Sequence, residues 1–461
     1  MAADPVAADP VAAGRAADAA ADAPVALGLL PRSARVDEAG RLSLGGCDVE
    51  QLADLFGTPL YVYCEDELRL RCREYRDAFG GDAVAYAGKA FLCVAMAKLV
   101  QQEGLHLDVA TGGELHVAQR AGFPPARIVF HGNNKSDAEL AAALQAGVGR
   151  IVVDSFDELD RIEALVAGGL PQPNVLVRVT PGVEAHTHEY IATGAIDSKF
   201  GFTVSTGAAR DAALHVAKSD AMELAGFHCH IGSQILSLES FALAIAVVAQ
   251  LAADVGRATG APIGELNLGG GLGVPYTTAD LDAPPITAFS SFVRAQFEQA
   301  CRDAGLDPAP RLTVEAGRSI AGPSGITLYS VGTIKEIPGV RTYVAVDGGM
   351  SDNPRPITYG ATYEAFVPAR VTAPRPFVAS VAGKHCEQGD ILVTDAHLPA
   401  DVAVGDVLAT PVTGAYAYSM ASTYNLVPRS AVVFVREGRA RAVVRRESLD
   451  DLVTRDQFEG D

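Results

Sequence analysis

Short apolar runs alternate with alanine-rich stretches through the middle of this chain, from about residue 61 to residue 324. The alanine-rich stretches place apolar residues near the i, i+3 and i+4 positions of amphipathic helices, and this alternation is the pattern of β/α units. Eight such units predict an α/β fold with a (β/α)8 TIM-type barrel. The predicted strands are 84–86, 105–108, 128–130, 151–154, 175–179, 224–230, 266–268 and 312–315, and the clearest helices are 91–102, 114–121, 137–146, 156–167 and 241–258.

Side chains that carry functional groups are concentrated where the predicted strands end. In a barrel of this kind, the carboxyl ends of the strands form the rim that holds the active site. The residues at or just past these ends are Lys89, Asp108, His131, Asp154, His230, the run Gly269, Gly270 and Gly271, and Glu315. The sequence therefore predicts an active site at this rim.

The residue composition of the sequence changes after residue 324. Runs of β-branched and aromatic residues predict a C-terminal β domain of sandwich or barrel-like form at 326–337, 342–346, 377–381, 390–394 and 432–446, with Glu437 and Gly438 in a hairpin turn. We expect the segment 35–44 to complete this domain from the amino-terminal side. The predicted organisation is a disordered Ala/Asp/Pro-rich tail at 1–26, an N-terminal segment at 27–62 that joins the β domain, the barrel at 63–325, the β domain at 326–448 and a tail at 449–461.

Composition excludes several classes of partner. The formal net charge of −19 disfavours nucleic acids and anionic membranes, which bind to clustered Lys and Arg. Hydrophobic runs are interrupted by Gly, Pro or a charge, so no stretch is expected to span a bilayer. The 7 cysteines are scattered without C-x-x-C spacing, and the amino-terminal residues do not have the pattern of a signal peptide. We therefore expect a reducing, cytoplasmic location.

Lys89 follows the apolar run of the first predicted strand, at what is expected to be a buried position. Burying an ammonium group costs several kcal/mol unless the charge is paired or removed. An imine with an aldehyde cofactor would remove it, so the position suggests a Schiff-base lysine. The alternative is a lysine that reaches solvent along its aliphatic stem or forms an ion pair.

The run Gly269, Gly270 and Gly271 follows the seventh predicted strand. Glycines after a strand allow backbone N–H groups to converge on an anion such as a phosphate, and the Ser233 hydroxyl could serve the same anion from the preceding strand end. A dinucleotide site is the obvious rival. It would place the glycines after the first strand and would need a second βαβ half, which the sequence does not show.

His228 and His230 alternate along one predicted strand, so they share a face. The spacing raises the question of a metal, but no second ligand pair stands at diagnostic spacing, and we predict no metal site. The flat ring of His230 suits stacking on a planar cofactor. His228 is interpreted as a core histidine bonded to a neighbour.

Glu315 and Arg318 stand together at the end of the eighth predicted strand. A structural ion pair would explain the pairing equally well. Beside a pyridine nitrogen, however, a carboxylate favours the protonated ring by charge attraction. A protonated ring withdraws electrons strongly, as a carbanion next to an imine requires.

Eight short motifs occur together in an order and spacing that resemble one enzyme family, the diaminopimelate decarboxylases. They are YAGKA at 86–90, HGNNKS at 131–136, HCHIGS at 228–233, GGG at 269–271, EAGR at 315–318, DNPRP at 352–356, KHCE at 384–387 and GAY at 414–416. These enzymes are pyridoxal-phosphate decarboxylases built on an alanine-racemase-like barrel, and the resemblance covers roughly residues 36–448. The family usually has proline where this chain has Ala316, a change that affects only a preset backbone angle.

The resemblance implies a role for each matching residue. It implies that Lys89 holds pyridoxal 5'-phosphate as a Schiff base and that Cys386 is the proton donor. The implied cofactor contacts are Lys89, Asp108, His230, Ser233, Gly269, Gly270, Gly271, Glu315, Gly317, Arg318 and Tyr416, and the implied substrate contacts are Arg318, Arg355, Tyr359, Glu387 and Tyr416. It also implies a homodimer in which Cys386 and Glu387 enter the active site of the neighbouring subunit.

The implied reaction is decarboxylation of meso-2,6-diaminopimelate at its D-centre, which gives L-lysine and CO2. The second carboxylate of this substrate suits Arg318 and Arg355, and its second amine suits Glu387. The thiol of Cys386 beside Glu387 is expected to stay neutral and so able to donate a proton. Without the resemblance, Cys386 would be interpreted as a small buried apolar residue.

Three other readings remain open. A decarboxylase of ornithine, lysine, arginine or a carrier-bound amino acid could use the same fold and lysine. A racemase on this barrel would place an arginine, not Glu315, against the pyridine nitrogen. A regulatory homologue without chemistry would be expected to have lost Lys89 or Cys386, and both are present.

Overall fold

The computed structural model describes residues 27–183, 197–280 and 283–457, and these form two compact units. The barrel unit contains the described residues of 68–274 and 282–322, and the sheet unit contains those of 1–67, 275–281 and 323–461. The predicted disordered tail at 1–26 lies outside the described residues. Within the predicted tail at 449–461, a short helix covers Leu449–Val453.

The barrel unit is a closed barrel of eight parallel strands. The strands, in chain order, are β1 Val84–Ala87, β2 His106–Val109, β3 Ile128–Phe130, β4 Arg150–Val153, β5 Asn174–Thr180, β6 Glu223–Cys229, β7 Glu265–Asn267 and β8 Arg311–Ala316. Each strand pairs with the next, and β8 pairs with β1, where Glu315 lies opposite Ala85. The predicted TIM-type barrel is confirmed, and each predicted strand lies within a residue or two of the observed one. A short strand, Phe202–Thr203, extends the sheet beside β5.

Helices connect the strands, as the apolar spacing predicts. They cover Glu65–Phe79, Val94–Gln102, Gly112–Arg120, Asp137–Ala146, Phe156–Ala167, Ala208–Lys218, Glu239–Thr259, Ile286–Ala304 and Arg318–Ala321. Local capping fixes where several of them begin. The Ser136 hydroxyl accepts a hydrogen bond from the Glu139 N–H, and the Glu139 carboxylate accepts one from the Ser136 N–H, which together form a capping box.

One helix contradicts the expectation about apolar stretches. Glu239–Thr259 is 21 residues long and apolar enough, by length and composition, to cross a membrane. The expectation failed because the small residues of this helix, mostly alanine, are apolar without forming a conspicuous run of large side chains. Half of its most apolar window is buried, and Phe241, Ile245 and Val248 are among the buried residues. A partly buried helix of a globular protein meets the same criteria, so this one is weak evidence for a membrane span.

The interior of the barrel contains both apolar and polar side chains. Ala85, Val129, Val152 and Leu176 form an apolar cluster from β1, β3, β4 and β5. On β7 and β8 the inward-facing residues, which alternate along the strand, are polar. They are Glu265 and Asn267 on β7 and Thr313 and Glu315 on β8, and all four are buried. These two strands therefore carry polar groups from one end of the barrel to the other.

A buried ion pair fixes the loop that follows β3. Lys135 and Glu158 are each 1% exposed, with 2.7 Å between the Lys135 Nζ and the Glu158 Oε1. The Lys135 ammonium also donates to the carbonyls of Gly132, at 2.6 Å, and Val152, at 2.9 Å. This network fixes the loop immediately after His131, and so holds His131 in place at the rim.

The sheet unit combines the carboxyl-terminal strands with an amino-terminal strand. In order across the sheet, the strands are Ile391–Leu398, Phe377–Ala382, Arg341–Val346, Gly325–Ile337, Leu60–Cys64, Ala431–Arg436 and Arg439–Val444, with Val407–Thr410 also paired to Gly325–Ile337. A separate three-stranded sheet contains Arg35–Val36, Leu42–Leu44 and Cys47–Asp48, and further helices cover Val49–Phe56 and Arg355–Tyr359. The predicted additional β domain is confirmed, and Glu437 and Gly438 have the positive φ angles, 52° and 72°, of a tight hairpin turn.

The strand Leu60–Cys64 is absent from the sequence prediction. All five of its residues are buried, because it lies in the middle of the sheet between Gly325–Ile337 and Ala431–Arg436. A short continuous apolar run lacks the alternation that identifies a half-buried strand. The amino-terminal segment packs with it, since Leu44, Val49 and Val62 belong to one apolar core.

We expect Glu158→Gln to destabilise the barrel unit, because it leaves the buried Lys135 ammonium without its carboxylate. The loss should be about 3 kcal/mol, or roughly 10 °C in Tm. Asp254→Asn, which removes an exposed pair with Arg257, is the matched control and should change Tm by less than about 2 °C. Thermal unfolding followed by circular dichroism measures both, and an equal Tm for the two variants would contradict the assignment.

Candidate functional site

Lys89 lies at the rim of the barrel, in the turn Gly88–Ala90 that follows β1. Its side chain is exposed, so the expectation of a buried ammonium is wrong. The strand ends at Ala87, and the turn carries Lys89 beyond the buried part of the strand. The charge of Lys89 nevertheless acts on the buried interior, because it opposes the upward shift in the pKa of Asp108 and helps to lower that of His230.

Glu315 is the centre of a buried polar network at the same rim. The Nε2 atoms of His131 and His228 lie 2.9 Å and 3.3 Å from its two carboxylate oxygens. The Asn267 amide donates to the Glu315 Oε1 at 2.9 Å. These partners come from β6, β7 and the loop after β3, so the closed barrel brings together residues far apart in sequence.

The network keeps Glu315 ionised. Burial alone would raise the pKa of Glu315, but His131 and His228 bring it well below its ordinary value. Burial would likewise lower the pKa of His131, but Asp108 and Glu315 raise it above its ordinary value. The His131 Nε2 is also 3.7 Å from the Asp108 carboxylate. The charged form of His131 is therefore favoured beside the Glu315 carboxylate.

Burial shifts the pKa values of His228 and Asp108 in opposite directions. It lowers the pKa of His228 to about 4, so this ring is neutral at pH 7. It raises the pKa of Asp108 to about 7, although the charges of His131 and Lys89 oppose the rise. Among the described residues, the Nδ1 of His228 is buried and has no hydrogen-bond partner.

His131, His228 and Glu315 could also be considered as metal ligands. Their ligand atoms lie within 4.8 Å of one another. The Nε2 of each ring also faces a Glu315 oxygen at a distance that an ion pair or a hydrogen bond satisfies. The sequence prediction of no metal site stays a prediction.

His230 is held by the glycine run. The Gly270 N–H donates to the His230 Nδ1 at 3.2 Å, so the ring proton is assigned to Nε2. Burial and the charge of Lys89 lower the pKa of His230 well below its ordinary value, which keeps the ring neutral. The ring is thus fixed in orientation and uncharged, as stacking on a planar group requires.

The glycine run is required by close approach. A Cβ on Gly270 would lie 2.1 Å from the Glu315 carbonyl oxygen, and one on Gly269 would lie 2.6 Å from the Cys229 carbonyl oxygen. Two of the N–H groups of the run have partners at the rim, because the Gly269 N–H donates to the Asn267 Oδ1 at 2.8 Å and the Gly270 N–H to His230.

Arg318, Ser233 and Gly317 lie at the same end of the barrel. Arg318 is buried and donates to the Ser233 Oγ through Nη2, at 2.8 Å, and through Nε, at 3.2 Å. A Cβ on Gly317 would lie 3.0 Å from the Cβ of Ala87 and 3.1 Å from that of Ala90. The turn that carries Glu315 and Arg318 therefore packs directly against the turn that carries Lys89.

In the sheet unit, Arg355 is surrounded by tyrosines. Its side chain is buried, and its guanidinium carbon lies 4.5 Å from the ring centre of Tyr276 and 5.6 Å from that of Tyr363. Its Nη1 also donates to the Tyr363 hydroxyl. Among the described residues, no carboxylate lies within ion-pair distance of Arg355, and a buried guanidinium without an anion is costly. This arrangement suits a ligand carboxylate.

Two further predicted residues belong to the sheet unit. Tyr359 ends the short helix that begins at Arg355, and it is half-buried. Tyr416 is also half-buried and has a φ angle of 60°. A bulky residue in the left-handed region is uncommon and is found most often where structure is constrained for function.

Cys386 and Glu387 lie on an exposed turn between Phe377–Ala382 and Ile391–Leu398. Six of the 7 cysteines are buried and Cys386 alone is exposed, so the reading of Cys386 as a small buried apolar residue is wrong. The turn is firmly anchored. The Asp390 carboxylate accepts from the His385 N–H at 2.9 Å and from the Met350 N–H at 2.6 Å, and the Cys386 N–H donates to the Asn425 Oδ1 at 3.1 Å.

Sequence reasoning did not assign a role to three residues that build the site. His131 was placed only at a strand end, although its HGNNKS motif was a signal. The sequence around Asn267 reads as an ordinary apolar strand, and nothing in it marks Asn267 as a site residue. Arg178, a charge inside the buried strand β5, lies 3.6 Å from Asp154 and stacks on Phe200 at 4.2 Å. Because Asp154 also accepts from the Gly201 N–H at 2.7 Å, these residues attach the segment 197–201 to the rim.

Comparison with known proteins gives one family. Residues 65–322 match the pyridoxal-dependent decarboxylase, pyridoxal binding domain. The diaminopimelate decarboxylase of Mycobacterium tuberculosis is 49% identical over 433 residues, which cover 92% of this chain and 96% of that protein. That of Bacillus subtilis is 47% identical over 428 residues, which cover 92% and 97%.

Solved structures agree. The diaminopimelate decarboxylase of M. jannaschii, in co-complex with L-lysine, superposes with a TM-score of 0.86 at 33% identity and covers 94% of this chain and 99% of that one. The lysine/ornithine decarboxylase of Vibrio vulnificus, at 23% identity and a TM-score of 0.71, covers 84% and 97% and shares the fold. With this fold, this arrangement of the rim and these relatives, the chain belongs to the diaminopimelate decarboxylases, which are pyridoxal-dependent enzymes.

Proposed function

We propose that this chain decarboxylates meso-2,6-diaminopimelate at its D-centre to give L-lysine and CO2, using pyridoxal 5'-phosphate held at Lys89. One observation carries the proposal. The buried Glu315 carboxylate is kept ionised by His131 and lies in a turn that packs against the turn of Lys89. Lys89 thus supplies an amine for the aldehyde, and the neighbouring turn supplies the Glu315 negative charge for the ring nitrogen.

The residues at the rim fit this cofactor. When bound, pyridoxal phosphate supplies an aldehyde that condenses with amines and a ring that withdraws electrons from the bond that breaks. Glu315 supplies the negative charge that keeps the ring nitrogen protonated. The neutral, fixed ring of His230 supplies a flat face. Ser233, Gly271, Gly317, Arg318 and Tyr416 are the proposed phosphate ligands, and Asp108, Gly269 and Gly270 complete the predicted cofactor set.

Arg355 is the proposed contact for the distal carboxylate of the substrate. A guanidinium held between Tyr276 and Tyr363 is preorganised, so little side-chain entropy is lost when it pairs with a carboxylate. Ornithine and lysine carry only an amine at that end and would leave the buried charge unpaired. The geometry of Arg355 thus favours diaminopimelate over the other amino acids that this fold can decarboxylate. Arg318, Tyr359, Glu387 and Tyr416 are the other proposed substrate contacts.

Cys386 is the proposed proton donor, delivered with Glu387 into the active site of a second subunit. Two features support this arrangement: the thiol and the carboxylate are both exposed in the single chain, and their turn is held rigidly by Asp390 and Asn425. We therefore propose a homodimer with shared active sites. Seven free cysteines support a reducing, cytoplasmic location.

We expect Lys89→Ala to abolish the covalent link to the cofactor. The wild-type protein with pyridoxal phosphate should show a visible absorbance band that sodium borohydride removes, with the cofactor then attached to the peptide that contains residue 89. The variant should show no borohydride-dependent attachment and no release of CO2. Lys98→Ala, a lysine on the next helix, is the control and should behave as wild type. Attachment at another lysine would contradict the proposal.

We expect Arg355→Ala to lower kcat/KM for meso-diaminopimelate by at least about a hundredfold, because a directional bidentate contact is lost. Arg355→Lys keeps the positive charge but not the two parallel N–H donors of the guanidinium, so its kcat/KM should lie between those of Arg355→Ala and the wild type. Arg341→Ala, at an exposed position of the same unit, is the control. Steady-state assays of CO2 release measure all three, and wild-type turnover by Arg355→Ala would show that this residue does not bind the distal carboxylate.

Mixing two inactive variants tests the shared active site. Lys89→Ala and Cys386→Ala should each be inactive as purified. When the subunits are exchanged at equal amounts, half of the dimers are hybrids with one intact site, so about a quarter of wild-type activity should return. Mixing Lys89→Ala with Glu315→Ala, which remove groups from the same subunit, is the control and should recover none. Absence of recovery in the first mixture, with exchange shown by mass spectrometry, would place Cys386 in its own subunit's site.

A further inference from the structure

We propose that the barrel unit carries a second ligand site, for a small organic anion, at the amino-terminal ends of its strands. This end is opposite to the rim that carries Lys89. In TIM-type barrels the carboxyl end holds the catalytic groups, and the amino end is normally concerned with stability. The proposal is independent of the reaction assigned above.

A cavity of about 260 Å³ opens at this end. Its walls are the first residues of several strands, including Val84 on β1, His106 on β2, Arg150 on β4 and Arg311 on β8. Pockets for drug-sized ligands are usually about 300–1,000 Å³, so this cavity suits a smaller molecule.

Three arginines line the cavity around a single buried carboxylate. The Glu265 Oε2 lies 3.2 Å from Arg150 and 2.5 Å from Arg311, and the Thr313 hydroxyl donates to the Glu265 Oε1 at 2.9 Å. One carboxylate thus neutralises only one of these two arginines. The third, Arg127, adds another positive charge to the same cavity.

Arg127 has an unsatisfied donor. Its Nε is buried and, among the described residues, has no hydrogen-bond partner. Leaving a buried charged donor unpaired costs free energy, and an anion in the cavity would remove that cost. Asp82, also at the cavity, is exposed and lies 3.8 Å from His106.

Three arginines and two carboxylates, those of Glu265 and Asp82, line the cavity, so its formal charge is positive even though the chain as a whole carries a net charge of −19. Burial lowers the pKa of His106, and the charges of Arg127 and Arg311 lower it further. The neutral form of His106 is therefore favoured, and the positive charge of the cavity comes from the arginines. A local excess of positive charge disfavours the binding of cations in the cavity and favours the binding of an anion.

The remaining walls are apolar and indicate the rest of the ligand. Val84, Ala85, Val129 and Val314 line the cavity beside the arginines. A carboxylate or phosphate group would meet the guanidinium groups, and a short carbon skeleton would meet the valines. The chemical class is therefore a small carboxylate or phosphate ester.

Binding to the holoenzyme tests the proposal, because bound pyridoxal phosphate then occupies the phosphate-binding groups at the rim. Succinate, inorganic phosphate and glycerol 3-phosphate are titrated by calorimetry at constant ionic strength, with sodium chloride as the reference. We expect saturable binding of one ligand per chain by at least one of the three, and a Tm raised by a few degrees at saturation. The three probes distinguish a carboxylate from a phosphate and show whether a carbon skeleton is required.

Arg127→Ala should weaken this binding at least tenfold and leave turnover of meso-diaminopimelate unchanged. Arg127→Gln, which retains a donor but not the charge, should weaken it to a smaller extent. Arg120→Ala, which removes an arginine at an exposed position in the same unit, should bind as wild type. Absence of saturable binding by all three probes, or equal affinity in the wild type and Arg127→Ala, would overturn the proposal.

Discussion

The ionised carboxylate of Glu315 is the interaction on which the rest of the rim depends. A buried charge is stable only when donors converge on it, and here they come from the loop after β3, from β6 and from β7. This requirement fixes the register of the strands and the orientation of two imidazoles. The backbone around Glu315 is packed so closely that a Cβ at Gly270 would lie 2.1 Å from the Glu315 carbonyl oxygen, which accounts for a glycine there. The glycines, histidines and carboxylate act as one assembly, although they lie far apart in sequence.

Polar groups on two neighbouring strands connect the two ends of the barrel. Residues 265 and 267 of β7 and 313 and 315 of β8 follow one another from the arginine cluster at one end to Glu315 at the other. Ala85, Val129, Val152 and Leu176 form an apolar cluster within the same barrel. Each buried carboxylate is stabilised by partners at its own end, Glu315 by His131, His228 and Asn267, and Glu265 by Arg150 and Arg311.

Periodicity in the sequence was sufficient to predict the barrel, because eight amphipathic units leave few alternatives. It could not predict Leu60–Cys64, whose continuous apolar run has no alternation to read. Lys89 was expected to be buried because the apolar run before it is buried, but two residues of turn were enough to expose it. Partners across the barrel, such as His131 and Asn267 for Glu315, depend on distances between strands, which local patterns do not encode. For the same reason, the internal hydrogen bonds of Gly269 and Gly270 could not be foreseen.

Glu315 and Arg355 each find their neighbours within their own unit of the chain. Glu315 and its partners belong to the barrel unit, whereas Arg355 and its tyrosine neighbours belong to the sheet unit. The residues that keep Glu315 ionised are therefore not the residues that hold the Arg355 guanidinium. During divergence, substitutions around Arg355 can alter the contact proposed for the distal carboxylate while the partners of Glu315 are inherited unchanged.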